Sequence, residues 1–254
     1  MAAVDQVDDD GIIAGRPRSV ARVLAEFAEL AAALEGDRAA RARRDLLART
    51  LTLPPGPWLE ADWPPVQRQG AGLLVLDGLM LRRVGIDQRH GAELLAAGDL
   101  LRPWQREDSV ASIARESAWR VLRRTRLAVL DLGFLRRAAP YPEVVAALIE
   151  RTLRRSRSLA VNMAIVHQPR VETRLLMILW HLADRWGRVG PDGVSVPVRL
   201  THAMLADLVA AQRPTVSAAL SNLQRDGLVS RAPDGWHLHG LPPGELTAVI
   251  AADD

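Results

Sequence analysis

The segment Leu200–Val229, LTHAMLADLVAAQRPTVSAALSNLQRDGLV, decides the fold of the C-terminal part of this 254-residue chain. Apolar residues recur at helical spacing in two short stretches, and Pro214 lies where the first turn of the second stretch begins. Thr201 stands at the N-cap position of the first stretch, and Gln212 at that of the second. The pattern predicts two helices joined by a tight turn.

The second predicted helix has polar side chains opposite its apolar face. A helix that presents such groups at its N-terminal end is typical of proteins that bind the major groove of DNA. Arg213 has the geometry to bind guanine O6 and N7 bidentately, and the hydroxyls of Thr215 and Ser217 can contact phosphates or base edges. The candidate DNA-binding residues are Thr201, His202, Gln212, Arg213, Pro214, Thr215, Ser217, Ala218 and Ser221.

A β-hairpin is predicted directly after these helices. Leu228–Arg231 and Trp236–His239 alternate apolar and polar residues around the turn Ala232–Gly235, so they would form a wing. The alternative is a plain helical hairpin with a strand pair and no DNA function. The exposed run Arg213–Ser217 at a helix start, followed by a wing, favours DNA binding.

The same residues resemble the C-terminal domain of CRP/FNR-type bacterial transcription regulators. The matching motifs are Leu-Thr-His-x-x-Leu-Ala-x-Leu-Val, then Arg-Pro-Thr-Val-Ser-x-x-Leu-x-x-Leu, then Gly-Leu. The resemblance implies a base contact for Arg213 and phosphate-side or groove-side contacts for Thr215 and Ser217. Pro214 and Ala218 stand where family members often have Glu and Arg, so the family's best-known operator is not expected here.

Composition narrows the function classes. With no cysteine, the chain has no disulfide, no thiolate zinc site and no cysteine-ligated iron–sulfur cluster. All 33 basic residues are arginine and the net charge is only +3, so the DNA prediction depends on the motif rather than on bulk charge. No apolar run approaches the roughly 20 residues of a membrane span, and the N-terminus is acidic, unlike a signal peptide. We expect a cytoplasmic bacterial protein that does not bind membranes.

The N-terminal half is predicted to combine helices with many short strands. Residues 1–18 are expected to be a flexible acidic tail, followed by helices over Ser19–Glu35 and Asp37–Thr50. Prolines and glycines separate short apolar runs between Leu51 and Arg124, which indicates a small sandwich or barrel. The pair Asp77-Gly78 is predicted to be a hairpin turn.

The run Gly72–Val84, followed by Gly98–Leu101, resembles the β-roll sensor domain of the same family. In members that bind cyclic nucleotides, a Gly-Glu pair and a later Arg hold the ribose and the cyclic phosphate. Here the sequence continues Arg102-Pro103-Trp104-Gln105, and Pro103 has no N–H to offer a phosphate. The resemblance therefore implies a degenerate site without tight cyclic AMP binding. Arg102, Trp104 and Arg106 are candidates for another anionic or aromatic effector, and the alternative is a structural loop with Trp104 packed on the roll.

An enzymatic function is not expected. His90 is the only histidine before residue 167, which leaves a cupin-type metal site without its ligands. The sequence has no Gly-rich phosphate loop, no nucleophile elbow and no paired-carboxylate motif. His237 and His239 share one face of the predicted wing strand, but exposed polarity explains them better than a metal pair. We predict no catalytic residue, metal or cofactor.

A long helix is predicted to begin at Pro142 and to end before Gln168-Pro169, with a hinge at Gln168–Arg170. A further helix is predicted over Val171–Trp186, and a short strand over Gly193–Leu200. Its apolar residues recur at spacings of three and four, which is typical of a parallel two-stranded coiled coil. An ordinary core helix within one subunit is the alternative. The predicted dimer-interface residues are Val145, Leu148, Ile149, Thr152, Leu159, Met163 and Val166.

These observations predict an α+β protein with an N-terminal β-roll like that of cyclic-nucleotide-binding domains, a central dimerisation helix and a C-terminal winged helix-turn-helix. The expected domain bounds are 19–138, 139–168 and 169–254. The expected function is sequence-specific regulation of transcription by a homodimer on palindromic double-stranded DNA, with RNA polymerase and an unidentified small-molecule effector as candidate partners. The alternative is a ligand-independent architectural DNA-binding protein with a vestigial sensor domain.

Overall fold

The computed structural model describes residues 19–59, 70–86, 89–104 and 116–242. They form an N-terminal sheet, a long central helix and a C-terminal helix-turn-helix domain, which confirms the predicted α+β class. The predicted acidic tail and Arg106 lie outside the described residues. None of the helices in these ranges has both the length and the apolar character needed to cross a bilayer.

The chain divides into two compact units. The first unit comprises residues 1–81, 94–111 and 118–153, and the second comprises residues 82–93, 112–117 and 154–254. The first unit therefore contains most of the N-terminal sheet, and the second contains the C-terminal domain.

Seven strands form the N-terminal sheet. They are β1 (Ser19–Arg22), β2 (Leu47–Leu53), β3 (Gly56–Trp58), β4 (Gly72–Ile86), β5 (Arg89–Ala96), β6 (Leu100–Leu101) and β7 (Glu116–Leu130). The strand order is β1-β2-β7-β4-β5, with β3 beside β7 and β6 beside β4. The pairs β1–β2, β2–β7, β3–β7 and β4–β6 are antiparallel.

Both faces of this sheet are buried at its centre. Leu74 and Leu76 of β4 point into one core, while Leu73 and Val75 of the same strand point into a second core. Successive residues of a strand face opposite sides, so a strand that is covered on both sides needs an uninterrupted apolar run. This explains why β4 does not show the alternating pattern of a half-exposed strand.

The prediction of two helices over 19–50 is wrong in its bounds. The first described element is β1, which pairs with β2 and joins it through a 2.6 Å hydrogen bond between the Ser19 and Thr50 hydroxyls. Only the short helices α1 (Val23–Glu26) and α2 (Gly36–Asp45) form, with a 3-10 turn between them. Most apolar residues of the predicted first helix are buried, but Val20 is 61% exposed, because edge pairing with β2 overrides helical propensity at the start of this segment.

The predicted hairpin turn at Asp77-Gly78 is also wrong, because β4 runs through it as one 15-residue strand. Gly78 has a φ of +113°, and a Cβ atom there would lie 2.5 Å from Thr125 Cα of β7. Glycine is needed at this position because the backbones of β4 and β7 approach closely, and not because the chain reverses.

The central helix is confirmed. It follows the short helix α3 (Leu132–Ala138), which Asp131 caps by accepting a 2.8 Å hydrogen bond from the Phe134 N–H. The long helix, α4, extends over Pro142–Val166 and has 25 residues. Its first turns are anchored in the first unit, where Val144 is fully buried.

The C-terminal domain begins with α5 (Val171–Trp186), whose bounds match the prediction. The break between α4 and α5 contains Gln168–Arg170, where a hinge is predicted. The later elements are β8 (Arg188–Gly190), β9 (Gly193–Val196), α6 (His202–Leu208), α7 (Arg213–Arg225), β10 (Val229–Ala232) and β11 (Gly235–Leu238). The four strands form a sheet of order β10-β11-β9-β8, and β10 with β11 is the predicted hairpin. The strand β8 was not predicted.

Trp236 anchors the core of this domain. Its side chain is 1% exposed, so we expect Trp236→Ala to lower the free energy of unfolding of the second unit by about 3–5 kcal/mol. Urea denaturation followed by circular dichroism measures this change. In Val189→Ala, the control, the replaced side chain is 89% exposed, and the change should stay within about 0.5 kcal/mol. Equal losses in the two variants would contradict this description of the core.

Candidate nucleic-acid interface

The first helix of the motif is capped as predicted. The Thr201 hydroxyl oxygen accepts a 3.2 Å hydrogen bond from the Met204 N–H, which satisfies an orphan donor in the first turn of α6. The turn after α6 contains Ala210, a non-glycine residue with a φ of +50°. Arg174 of α5 steadies this turn by donating to the carbonyls of Val209 and Ala210 at 3.2 and 3.4 Å.

The second helix, α7, has the two faces that the sequence predicts. Its apolar face is buried, and the members of that face are Val216, Ala219, Leu220 and Leu223. Among the predicted DNA-binding residues, the exposed ones on or beside this helix are Gln212, Arg213, Pro214, Thr215, Ala218 and Ser221. Gln212 occupies the N-cap position, but its side chain makes no capping hydrogen bond, so the predicted cap does not form.

Ser217 differs from the other predicted groove residues because its hydroxyl is already engaged. It donates a 3.1 Å hydrogen bond to the Arg213 carbonyl and lies 2.8 Å from Nδ1 of His202. Ser221 donates in the same way to the Ser217 carbonyl, at 3.0 Å. In this arrangement neither hydroxyl proton is directed outward from the helix.

His202, at the start of α6, links the second helix of the motif, α7, to the wing. Its other ring nitrogen, Nε2, lies 3.1 Å from Nη2 of Arg231 in β10. The Arg231 guanidinium also lies over the Trp236 ring, 4.9 Å from the ring centroid. A chain of polar contacts therefore runs from the wing through the start of α6 to α7.

These residues border an open groove of about 740 Å³ between α6, α7 and the wing. Among the described residues, Arg199, Arg213 and Arg231 contribute to its lining, together with His202, and no carboxylate does. Burial lowers the pKa of the His202 imidazole below its usual value, and the positive charges of Arg231 and Arg213 lower it further. The groove therefore has the charge and the donors to hold an anion such as a backbone phosphate.

Two arginines of this groove, Arg199 and Arg231, were not predicted as DNA-binding residues from the sequence. Arg199 directly precedes the segment that caps α6, and Arg231 lies at a polar position of the predicted wing strand. Their positions in predicted elements were available, but their convergence with Arg213 depends on tertiary packing.

The predicted dimer-interface residues fall into two groups. Leu148 is buried in the core of its own chain and Val145 packs against the same core, so a contact of Leu148 with a partner does not fit. The others lie further along α4, where Ile149 and Met163 are 56% and 63% exposed. Thr152 and Leu159 are also exposed, and Val166 is half-buried.

The candidate effector residues lie at the end of the described sheet. Arg102 is exposed, and Trp104 is half-buried against the second core. This core already contains Trp58 and Trp119, whose rings meet edge to face with centroids 6.0 Å apart. Among the described residues, no group of three or more histidines and carboxylates is arranged to hold a metal ion.

Residues 173–241 match the family model of the Crp-like helix-turn-helix domain. The C-terminal domain is a Crp-like helix-turn-helix domain. The matched residues include the whole groove and both helices of the motif, which confirms the resemblance inferred from Leu200–Val229. No curated protein matches the chain.

Solved structures extend the similarity beyond the Crp-like domain. A variant of CooA from Carboxydothermus hydrogenoformans has 16% identity and a TM-score of 0.59, with 82% of this chain and 88% of that chain covered. FixK2 from Bradyrhizobium japonicum has 16% identity and a TM-score of 0.55, covering 76% and 93%. CprK complexed with OCPA has 12% identity and a TM-score of 0.55, covering 90% and 94%. The chain therefore shares its fold with these three proteins beyond its Crp-like domain.

Proposed function

We propose that this protein is a sequence-specific transcription regulator that binds a palindromic DNA site as a homodimer. The observation that supports this most is the groove of the Crp-like domain, where Arg213 at the start of α7 and two further arginines line the groove without a carboxylate in the described part of the chain. The exposed side of α7 reads bases, and the arginines of the groove hold the phosphates on either side. Its DNA target implies a cytoplasmic location.

The dimer forms along α4. Ile149, Thr152, Leu159, Met163 and Val166 are separated by three, seven, four and three residues, and Ser156 fills the missing step. This is the spacing of one coiled-coil seam, and its residues stay accessible in the single chain. A second copy of the chain is the partner that covers them, because two recognition helices are needed to bind two half-sites.

The domain bounds that go with this function are 19–138 for the sensor, 139–168 for the dimerisation helix and 169–254 for DNA binding. A signal at the sensor moves α4 and the hinge at Gln168–Arg170, and this changes the separation of the two recognition helices. RNA polymerase is the further partner that such a regulator contacts on a promoter.

Cyclic AMP is not the effector. The Arg102-Pro103 pair replaces the expected Gly-Glu, Pro103 is buried, and Trp104 packs against a core that already contains two tryptophans. We expect addition of cyclic AMP to change neither the DNA affinity nor the thermal midpoint of unfolding, because the ribose and phosphate partners are missing. A calorimetric scan with and without the nucleotide tests this, and a rise of the midpoint with concentration would contradict it. Cyclic GMP serves as the control for a general nucleotide effect.

Selection of bound sites from random duplex DNA at physiological salt tests the proposed function. The expected result is enrichment of one palindrome with two half-sites. Retention of all sequences alike, with a steep dependence of affinity on salt, would favour the architectural DNA-binding alternative. Absence of any retained DNA would overturn both.

A further inference from the structure

The contacts of His202 fix its protonation state in the DNA-free protein. A guanidinium has only donors, so at 3.1 Å the Nη2 of Arg231 donates and the Nε2 of His202 accepts. The ring proton therefore sits on Nδ1, which donates to the Ser217 hydroxyl at 2.8 Å. The Ser217 proton in turn goes to the Arg213 carbonyl. Each donor in this relay has one acceptor, and the imidazole in it is neutral.

The charges around His202 are all positive. Arg213 faces the groove from α7, Arg231 from β10 and Arg199 from the segment before α6, and none of the lining residues that the structure describes is a carboxylate. Protonation of the ring in the free protein would add a fourth positive charge and break its hydrogen bond with Arg231. Burial lowers the pKa of His202, and the positive charges of Arg231 and Arg213 lower it further.

A phosphate of the DNA backbone in the groove removes both obstacles to protonation, the excess of positive charge and the hydrogen bond from Arg231. Its negative charge offsets the positive charges of the arginines. Its oxygens accept the hydrogen bond that the Arg231 guanidinium gives to Nε2 in the free protein. The nitrogen released in this way can take a proton and donate to the phosphate itself. The imidazolium is therefore favoured in the complex and disfavoured in the free protein.

We propose that DNA binding is linked to proton uptake by His202: a backbone phosphate replaces Arg231 as the partner of Nε2, and one proton from solvent is bound per protomer. The inference rests on the proposed DNA-binding function and adds a regulation to the same site. No covalent bond changes, and the proton on Nδ1 stays with Ser217.

The sign of the pH dependence follows from the two states. Because the pKa of His202 is lower in the free protein than in the complex, affinity rises as pH falls through the interval between the two values. Above and below this interval the affinity is constant. Within this interval the association constant rises by up to about tenfold for each protomer when the pH falls by one unit.

The test measures the affinity for one enriched palindromic duplex from about pH 5.5 to about pH 8.5 at constant ionic strength. His202→Asn has no titrating group, but its amide N–H can still donate to the Ser217 hydroxyl from the position of Nδ1. His237→Asn is the matched control, since the imidazole of His237 lies on β11 outside the groove lining, with its Nε2 at 3.1 Å from the Asp192 carbonyl oxygen. We expect a pH slope in the wild type and in His237→Asn, and a reduced slope in His202→Asn.

Calorimetric titration of the wild-type protein in two buffers of different ionisation enthalpy gives the number of protons taken up without any variant. At a pH where the affinity changes with pH, uptake near one proton per protomer supports the proposal, and zero uptake at every pH from about 5.5 to about 8.5 overturns it. An unchanged slope in His202→Asn also overturns it. If no duplex is bound at any pH, the proposed function fails; if DNA binds without proton uptake, only the linkage to His202 fails.

Discussion

Replacing Met163 by glutamate should convert the protein from a dimer into a monomer and lower its affinity for a palindromic duplex by about 100-fold or more. Met163 is 63% exposed on α4 and lies in the proposed seam with Ile149. In a parallel dimer the two copies of residue 163 face each other, so the variant places two unpaired carboxylates in an apolar contact. Loss of the dimer removes the gain in affinity that comes from binding two half-sites together.

Val161→Glu is the matched control for this variant. Val161 is also an exposed apolar residue of α4, at 41%, but a displacement of two positions turns it about 200° around the helix from Met163. Analytical ultracentrifugation should find Met163→Glu monomeric and Val161→Glu dimeric, with equal helix content in both. A dimeric Met163→Glu protein that keeps its DNA affinity would contradict the proposed seam.

Removal of the Arg213 side chain has the second large expected effect. We expect Arg213→Ala to weaken binding to the selected palindrome by about 1–3 kcal/mol per half-site, because a bidentate contact with guanine is lost. The side chain is exposed, and the carbonyl that accepts from Ser217 belongs to the backbone, so the fold should be unaffected. Fluorescence anisotropy with the selected duplex and with single-position variants measures the change.

The specificity pattern separates a base contact from a phosphate contact. If Arg213 reads a base, Arg213→Ala relaxes the sequence preference at one symmetric position of the palindrome. Arg225→Ala is the control, since Arg225 is an exposed arginine at the other end of α7 that donates to Asn222. Equal losses of affinity in the two variants, without relaxed sequence preference at any position, would indicate that Arg213 contacts the DNA phosphates rather than a base.

The sequence predicted the C-terminal domain better than the sheet because its signals are local. The bounds of α5, the Thr201 cap and the position of Pro214 depend on residues within one or two helical turns. The strand β4 depends on distant residues: its apolar run is explained by burial on both faces, and Gly78 by the approach of Thr125 from β7. A hairpin turn and a close approach of strands both select glycine, so composition alone could not distinguish them.

The candidate site shows the same division between local and distant signals. The exposed face of α7 follows from helical periodicity, which is why Arg213 and Thr215 were predicted where they lie. The relay through His202 joins residues 15 and 29 positions apart in sequence, and only the folded chain brings them together. For this reason Ser217 was predicted to face DNA freely, whereas its hydroxyl is held by His202.

A half-site spacing series tests the central proposal most directly. The affinity of the wild-type protein is measured for the selected palindrome and for duplexes with up to about ten base pairs inserted between the half-sites. A two-fold dimer predicts tight binding at the selected spacing and, with about five added base pairs, a fall to the affinity of one half-site, because the second site then lies on the opposite side of the DNA. Equal affinity at every spacing would contradict a dimer that places two recognition helices one turn of DNA apart.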